Sequence, residues 1–213
     1  EICACLVGSE MCIRDRYARN PEQVINFYNE RRKQLLDVVP NAGHLGVADL
    51  ERDFNVTVVT QNVDNLHERA GSTHVIHLHG ELTKVCSSRD PYNPHFVKEL
   101  APEEYEVKLG DKAGDGTQLR PFIVWFGESV PEIETAIRYV EQADIFVIIG
   151  TSLNVYPAAG LLNYVPRAAE VYLIDPKPVD THVMRPIHVI QKGASEGVKE
   201  LKALLTVTQP PLP

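Results

Sequence analysis

Between residues 20 and 50 apolar positions recur every three or four residues. Val24, Phe27, Tyr28, Leu35 and Val38 keep helical spacing. Asn20 and Pro21 stand where a helix cap and first turn belong, and Gln23 holds the capping-box position. After Pro40 a second helix is expected, capped by Asn41, with Leu45, Val47 and Ala48 turned inward. From residue 56 the period changes. VTVVT (56–60), HVIHL (74–78), FIVWF (122–126), IFVIIG (145–150), VYLI (171–174) and IHVIQ (187–191) are short and rich in β-branched residues, and they predict buried strands. Helical patterns at 131–143, 157–165 and 195–205 separate several of them. Strands alternating with helices imply parallel pairing through right-handed crossovers. The expected fold class is α/β, a doubly wound parallel Rossmann-like sheet, with ligands beyond the carboxyl ends of the strands.

Residues 84–119 break the rhythm. They are polar and rich in Gly, Pro and Asp, and they predict a small insertion module outside the core. Residues 208–213 read as a tail. The opening stretch, EICACLVGSEMCIRDR (residues 1–16), resembles the translation of a sequencing-library adaptor, and it is set aside from fold reasoning as an expression scar would be.

Composition narrows the function. Of 213 residues 44% are hydrophobic and 23% charged, the mix of a globular protein. A net charge of −8 argues against nucleic acid as the main partner, because phosphate binding needs a basic stripe. No apolar run reaches the roughly 18 residues of a membrane span. Setting residues 1–16 aside removes Cys3, Cys5 and Cys12 and leaves Cys86 alone, so no disulfide is expected and a cytoplasmic location follows.

Chemistry gathers where the predicted strands end. TQNVDNLHERAG (60–71) sets Gln61, Asn62, Asp64 and Asn65 just past one strand. STHVIHLHGEL (72–82) packs His74, His77 and His79 into six positions, which by themselves suit a metal site, a strand-stabilising role or a catalytic base. Two further strands end in WFGE and GTSLNVYPAAG. No GxGxxG and no GxxxxGK[ST] loop occurs.

These pieces, with VWFGE and YLIDP, resemble the sirtuins, the NAD-dependent protein deacylases, in order and spacing over roughly residues 17–205. The resemblance implies a catalytic domain at 17–207. It implies that the family's GAGIS…GIP.FR element, which forms the first strand and cofactor loop, is missing ahead of residue 17, so the chain as written is expected to be weak or inactive. It implies NAD as cofactor, acyl-lysine protein or peptide as substrate, and nicotinamide and O-acyl-ADP-ribose as products. His79, directly before Gly80, takes the general base's place, leaving structural roles to His74 and His77. Gln61, Asn62, Val63, Asp64, Gly150, Thr151, Ser152, Leu173, Ile174, Asp175 and Ala194 take cofactor positions. Val124, Trp125, Phe126, Gly127 and Glu128 are expected to pair with the peptide as a strand. Tyr28 and Arg31, three apart on one helix, match the acyl-pocket pair of the class III sirtuins that prefer succinyl or malonyl chains. Many sirtuins carry four zinc cysteines in the insertion. Here Cys86 stands alone, so no metal is expected. Two other readings stay open: an NAD-binding module without turnover, and a mono-ADP-ribosyltransferase.

Overall fold

The computed structural model describes residues 13–150, 158–178 and 185–208. In chain order these form α1 (Ile13–Arg19), α2 (Pro21–Asp37), α3 (Ala42–Leu50), β1 (Val58–Thr60), α4 (Leu66–Ala70), β2 (Val75–His77), β3 (Gly80–Ser87), β4 (Lys98–Glu99), β5 (Leu119–Ile123), α5 (Ile133–Val140), β6 (Ile145–Ile149), β7 (Glu170–Ile174), β8 (His188–Ile190) and α6 (Ala194–Thr208). Helix α1 begins inside the segment set aside on sequence grounds. The fold is a Rossmann-like α/β fold. The chain divides into two compact units, one of residues 1–38, 60–65 and 77–131, the other of 39–59, 66–76 and 132–213. The division passes through the paired strands β1 and β2.

The second unit carries the parallel sheet, in the order β6-β7-β8, with Ile145 opposite Glu170 and Tyr172 opposite His188. Strand β7 is central and buries Val171, Tyr172, Leu173 and Ile174. Ile174 and Tyr172 join Ile190, Val47, Leu50, Val198, Leu201 and Leu205 in one core. Helix α3 is capped as its sequence predicts: the Asn41 side chain accepts from the N–H groups of Gly43 and His44 at 2.8 and 3.2 Å. Its inward face differs from expectation. Leu45 is 52% exposed, while Gly43, Val47 and Leu50 are buried. Positions i, i+4 and i+7 share a helical stripe, and Leu45 lies off it. Small residues let α6 close on its neighbours: a Cβ on Gly197 would lie 2.2 Å from Ile174 Cγ2, and one on Gly46 2.8 Å from Val198 Cγ1.

In the first unit α2 packs with an antiparallel sheet ordered β4-β3-β5. The Asn20 side chain accepts from Gln23 N–H at 3.2 Å, and Pro21 opens the helix. Val38, expected to face inward, is exposed, because the helix ends at Asp37. The buried stripe instead includes polar Asn29 and Arg32. Both are satisfied by distant backbone: Asn29 exchanges two hydrogen bonds with Val107, and Arg32 donates to Tyr105 O at 2.7 Å and to Asn29 Oδ1 at 2.6 Å. Buried polar groups persist only where such partners exist.

Two further expectations change here. FIVWF is not a strand over 122–126. Strand β5 ends at Ile123, runs antiparallel to β3, and is followed by a turn. Residues 84–119 are also not all outside the core, since Val85, Cys86 and Ser87 are fully buried on β3 and Val107 nearly so.

Candidate active site

The turn between β2 and β3 carries His79. Its Nδ1 lies 3.2 Å from the carbonyl oxygen of Gln61, and His77 Nδ1 lies 3.2 Å from that of Asn62. A carbonyl only accepts, so in both rings Nδ1–H is the donor. Burial pushes the His79 pKa below 6.5, against the opposing pull of the Gln61 carbonyl, and the ring is held neutral. His74 is placed differently: its Nδ1 meets Thr57 Oγ1 at 3.0 Å and its ring packs edge-on to Tyr139. The 61–64 segment is itself fixed. Thr60 Oγ1 accepts from Asn62 N–H at 3.0 Å, and Val63 O accepts from Leu82 N–H at 2.7 Å. Val63 is buried and Asp64 half-buried.

Gly80 follows His79 at φ +82°, and a Cβ there would lie 2.1 Å from Phe122 O. Only glycine allows this close approach of two backbones. It lets Val124 N–H donate to His79 O at 2.9 Å, joining the histidine's turn to residues 124–128. That segment is a tight turn, not the strand expected from the sequence: Glu128 N–H donates to Trp125 O, Gly127 takes φ +85°, and Phe126 is 70% exposed at the tip. Glu128 is directed inward. Its carboxylate receives Arg120 Nη1 and Nη2 at 2.7 and 3.0 Å and Trp125 N–H at 2.8 Å, and the Tyr92 hydroxyl lies 3.3 Å away. Both oxygens of the Glu128 carboxylate are thus engaged within the protein, and its side chain anchors the turn.

Tyr28 and Arg31 leave α2 in different settings. Tyr28 is buried, and its hydroxyl oxygen accepts from Trp125 Nε1–H at 3.1 Å. Arg31 is half-buried, over the Phe27 ring at 5.1 Å, and donates to Gln34 Oε1 at 3.0 Å. Among the described residues no carboxylate pairs with it.

The remaining cofactor candidates belong to the second unit. Gly150 follows β6 at φ +60°, donates to Ile174 O at 2.9 Å, and among the described residues has open space where a Cβ would be. Leu173 and Ile174 are fully buried, so their side chains form core. The central strand of a covered sheet is apolar on both faces. Asp175 Oδ1 accepts from Lys177 N–H at 2.8 Å, capping the turn after β7. Ala194 opens α6 behind Gly193, which also faces open space. Thr151 and Ser152 lie outside the described residues.

Residues 7–157 match the model of the Sir2 family. The chain belongs to the Sir2 family. Among its relatives is an NAD-dependent protein deacylase of Bacteroides thetaiotaomicron, 82% identical over 189 residues, 89% of this chain and 81% of that protein. A Helicobacter pylori NAD-dependent protein deacylase is 46% identical over 185 residues, 87% of this chain and 78% of that one. The crystal structure of a Sir2 homologue in complex with NAD superposes with a TM-score of 0.75 at 36% identity, over 90% of this chain and 74% of that one.

The glycines at the strand ends suit a dinucleotide cofactor. Among the described residues, Gly150 and Gly193 leave space bare of side chains at the carboxyl ends of β6 and β8, where Rossmann-like sheets take such ligands. Among the described residues no group of three or more His, Cys, Asp or Glu is placed to hold a metal. Sequence reasoning missed Arg120, which is 4% exposed and lies 3.7 Å from the Trp125 ring centroid. The signal was available: a lone cation inside the apolar run LRPFIVWF calls for a buried counter-charge.

Proposed function

We propose that this sirtuin is an NAD-dependent protein-lysine deacylase that prefers acidic acyl groups, succinyl or malonyl, over acetyl. The observation that carries the deacylase reading is His79: a neutral, half-buried ring whose Nδ1 is committed to Gln61 and whose Nε2 is available as a base. The relatives named as NAD-dependent protein deacylases support the same reading.

Bound NAD would supply an electrophilic ribose carbon and a nicotinamide leaving group. Gln61, Asn62, Asp64, Gly150, Asp175 and Ala194 are the residues that would hold it. His79 Nε2 would take a proton from a ribose hydroxyl, and the Gln61 carbonyl at Nδ1 would stabilise the imidazolium that forms. The turn at 124–128 receives the peptide, with Phe126 exposed at its tip. Products are nicotinamide and O-acyl-ADP-ribose.

Acidic acyl preference is supported by Arg31, a cation without a carboxylate partner among the described residues, one helical turn from Tyr28.

Nicotinamide release measured with and without acyl-peptide tests the proposal. Release that requires the acyl-lysine supports it. Release with only an unacylated protein acceptor points to mono-ADP-ribosyl transfer, and cofactor binding without release points to a binding module.

A further inference from the structure

We infer that Arg120 is a positioning residue for peptide binding, holding the 124–128 turn in its receptive shape and, through that turn, the backbone of His79. The inference rests on the reading that this turn receives the peptide.

Arg120 uses its whole fork. Nη1 and Nη2 donate to the two Glu128 oxygens, Nη2 also to Ile123 O at 2.7 Å, and Nε to Pro121 O at 3.3 Å. Its face lies against the Trp125 indole. One cation therefore grips residue 123 at the start of the turn, residue 125 within it and residue 128 at its end. Val124 N–H hands the same constraint to His79 O, and Gly80 pairs with Ile123 beside it. Trp125 Nε1–H carries it to Tyr28 Oη. Both ions of the pair are nearly buried, with side-chain exposures of 5% and 14%, so solvent screens the contact little. A planar fork is required. A lysine ammonium reaches a carboxylate as a point charge but cannot also stack on the indole and reach Ile123 O.

Trp125 is the one tryptophan of the chain, so its fluorescence reads this stack directly. The full chain is titrated with succinyl-lysine and acetyl-lysine peptides, and separately with NAD. Arg120→Lys is expected to change the Trp125 emission, weaken both peptides about tenfold or more, and leave NAD affinity within about twofold, while thermal unfolding stays cooperative. Glu128→Gln, which keeps the shape of the side chain and loses its charge, is expected to weaken peptide about threefold or more. Phe126→Ala reports on the docking site itself. If Phe126→Ala weakens peptide and folded Arg120→Lys does not, the inference is overturned and the docking reading stands. If Phe126→Ala binds peptide normally, both are overturned. Equal losses of peptide and NAD affinity, or failure of both Arg120→Lys and Glu128→Gln to fold, would make Arg120 a general fold residue and overturn the inference.

Discussion

His79 Nδ1 donates to the main-chain carbonyl of Gln61, and that one bond decides which ring nitrogen can act as a base. Nε2 is left with its lone pair, and burial keeps the ring neutral below its ordinary pKa of 6.5. The neutral, active form therefore persists into mildly acidic solution. In kcat/KM against pH, the acidic limb is expected to fall below pH 6.5. An NMR titration of His79 should give the same midpoint, and a midpoint above 6.5 would contradict the neutral-base assignment. Stability follows with a definite sign. Just under pH 6.5 the unfolded chain binds more protons at this site than the folded one, so the contribution of His79 is present above that range and is lost as pH falls through the folded-state pKa. His79→Ala should abolish turnover while leaving the chain folded.

Gly80→Ala should be far more damaging to the fold than its size suggests. The residue sits at φ +82°, and the new methyl would meet Phe122 O at 2.1 Å. Left-handed strain and overpacking together cost about 2–5 kcal/mol. Urea unfolding checks this, and a loss below about 1 kcal/mol would show that β3 and β5 can separate without penalty.

How far the sequence could be read depended on the reach of each cause. The caps at Asn20 and Asn41 act within three residues, and both are where the local pattern puts them. The β5 boundary was misread because LRPFI contains Arg120 and Pro121, which look unlike strand. Arg120 is buried there only because Glu128 returns to meet it, and Pro121 is tolerated because β5 lies at an edge of its sheet. Helix periodicity found α3 but not its facing, which is set by Val198 and Ile174, more than 100 residues away. The histidine before Gly80 was legible as a motif. The burial of Leu173 and Ile174 was legible as well, because VYLI is a short apolar run of the kind a covered central strand carries.

The 84–119 module is held by a polar knot centred on Asp115. Its carboxylate accepts from Ser87 Oγ and Thr117 Oγ1 at 2.7 Å each and from Thr117 N–H at 3.0 Å. Burial alone would raise its pKa, but these donors and Arg89 outweigh that and hold the carboxyl well below its ordinary 3.8. The stabilisation is thus present above pH 3.8 and lost only as pH falls far below it. Asp115→Ala should speed amide exchange in β3 and in residues 112–118, with a chelator leaving the wild type unchanged. A chelator-induced loss of stability would reveal a metal in place of the knot.

The proposed acyl preference turns on Arg31. Its partners, Gln34 and the Phe27 ring, are neutral, so a bound carboxylate would be its first counter-charge among the described residues. Tyr28 supplies the second polar group from one turn away, and its oxygen is already fixed by the Trp125 indole N–H. A succinyl or malonyl carboxylate that reaches the guanidinium gains a charge-assisted hydrogen bond, whereas an acetyl group offers nothing to it. Arg31→Met keeps the length and apolar body of the side chain and removes the cation. It should cost succinyl-lysine turnover roughly 2–4 kcal/mol in kcat/KM, through the carboxylate left unpaired, while acetyl removal changes little. Because Arg31 is half-buried and among the described residues donates only to Gln34, the substitution should leave thermal unfolding nearly unchanged. Equal losses on the two substrates would assign Arg31 to the fold, and a wild-type preference for acetyl would refute the acidic-acyl reading.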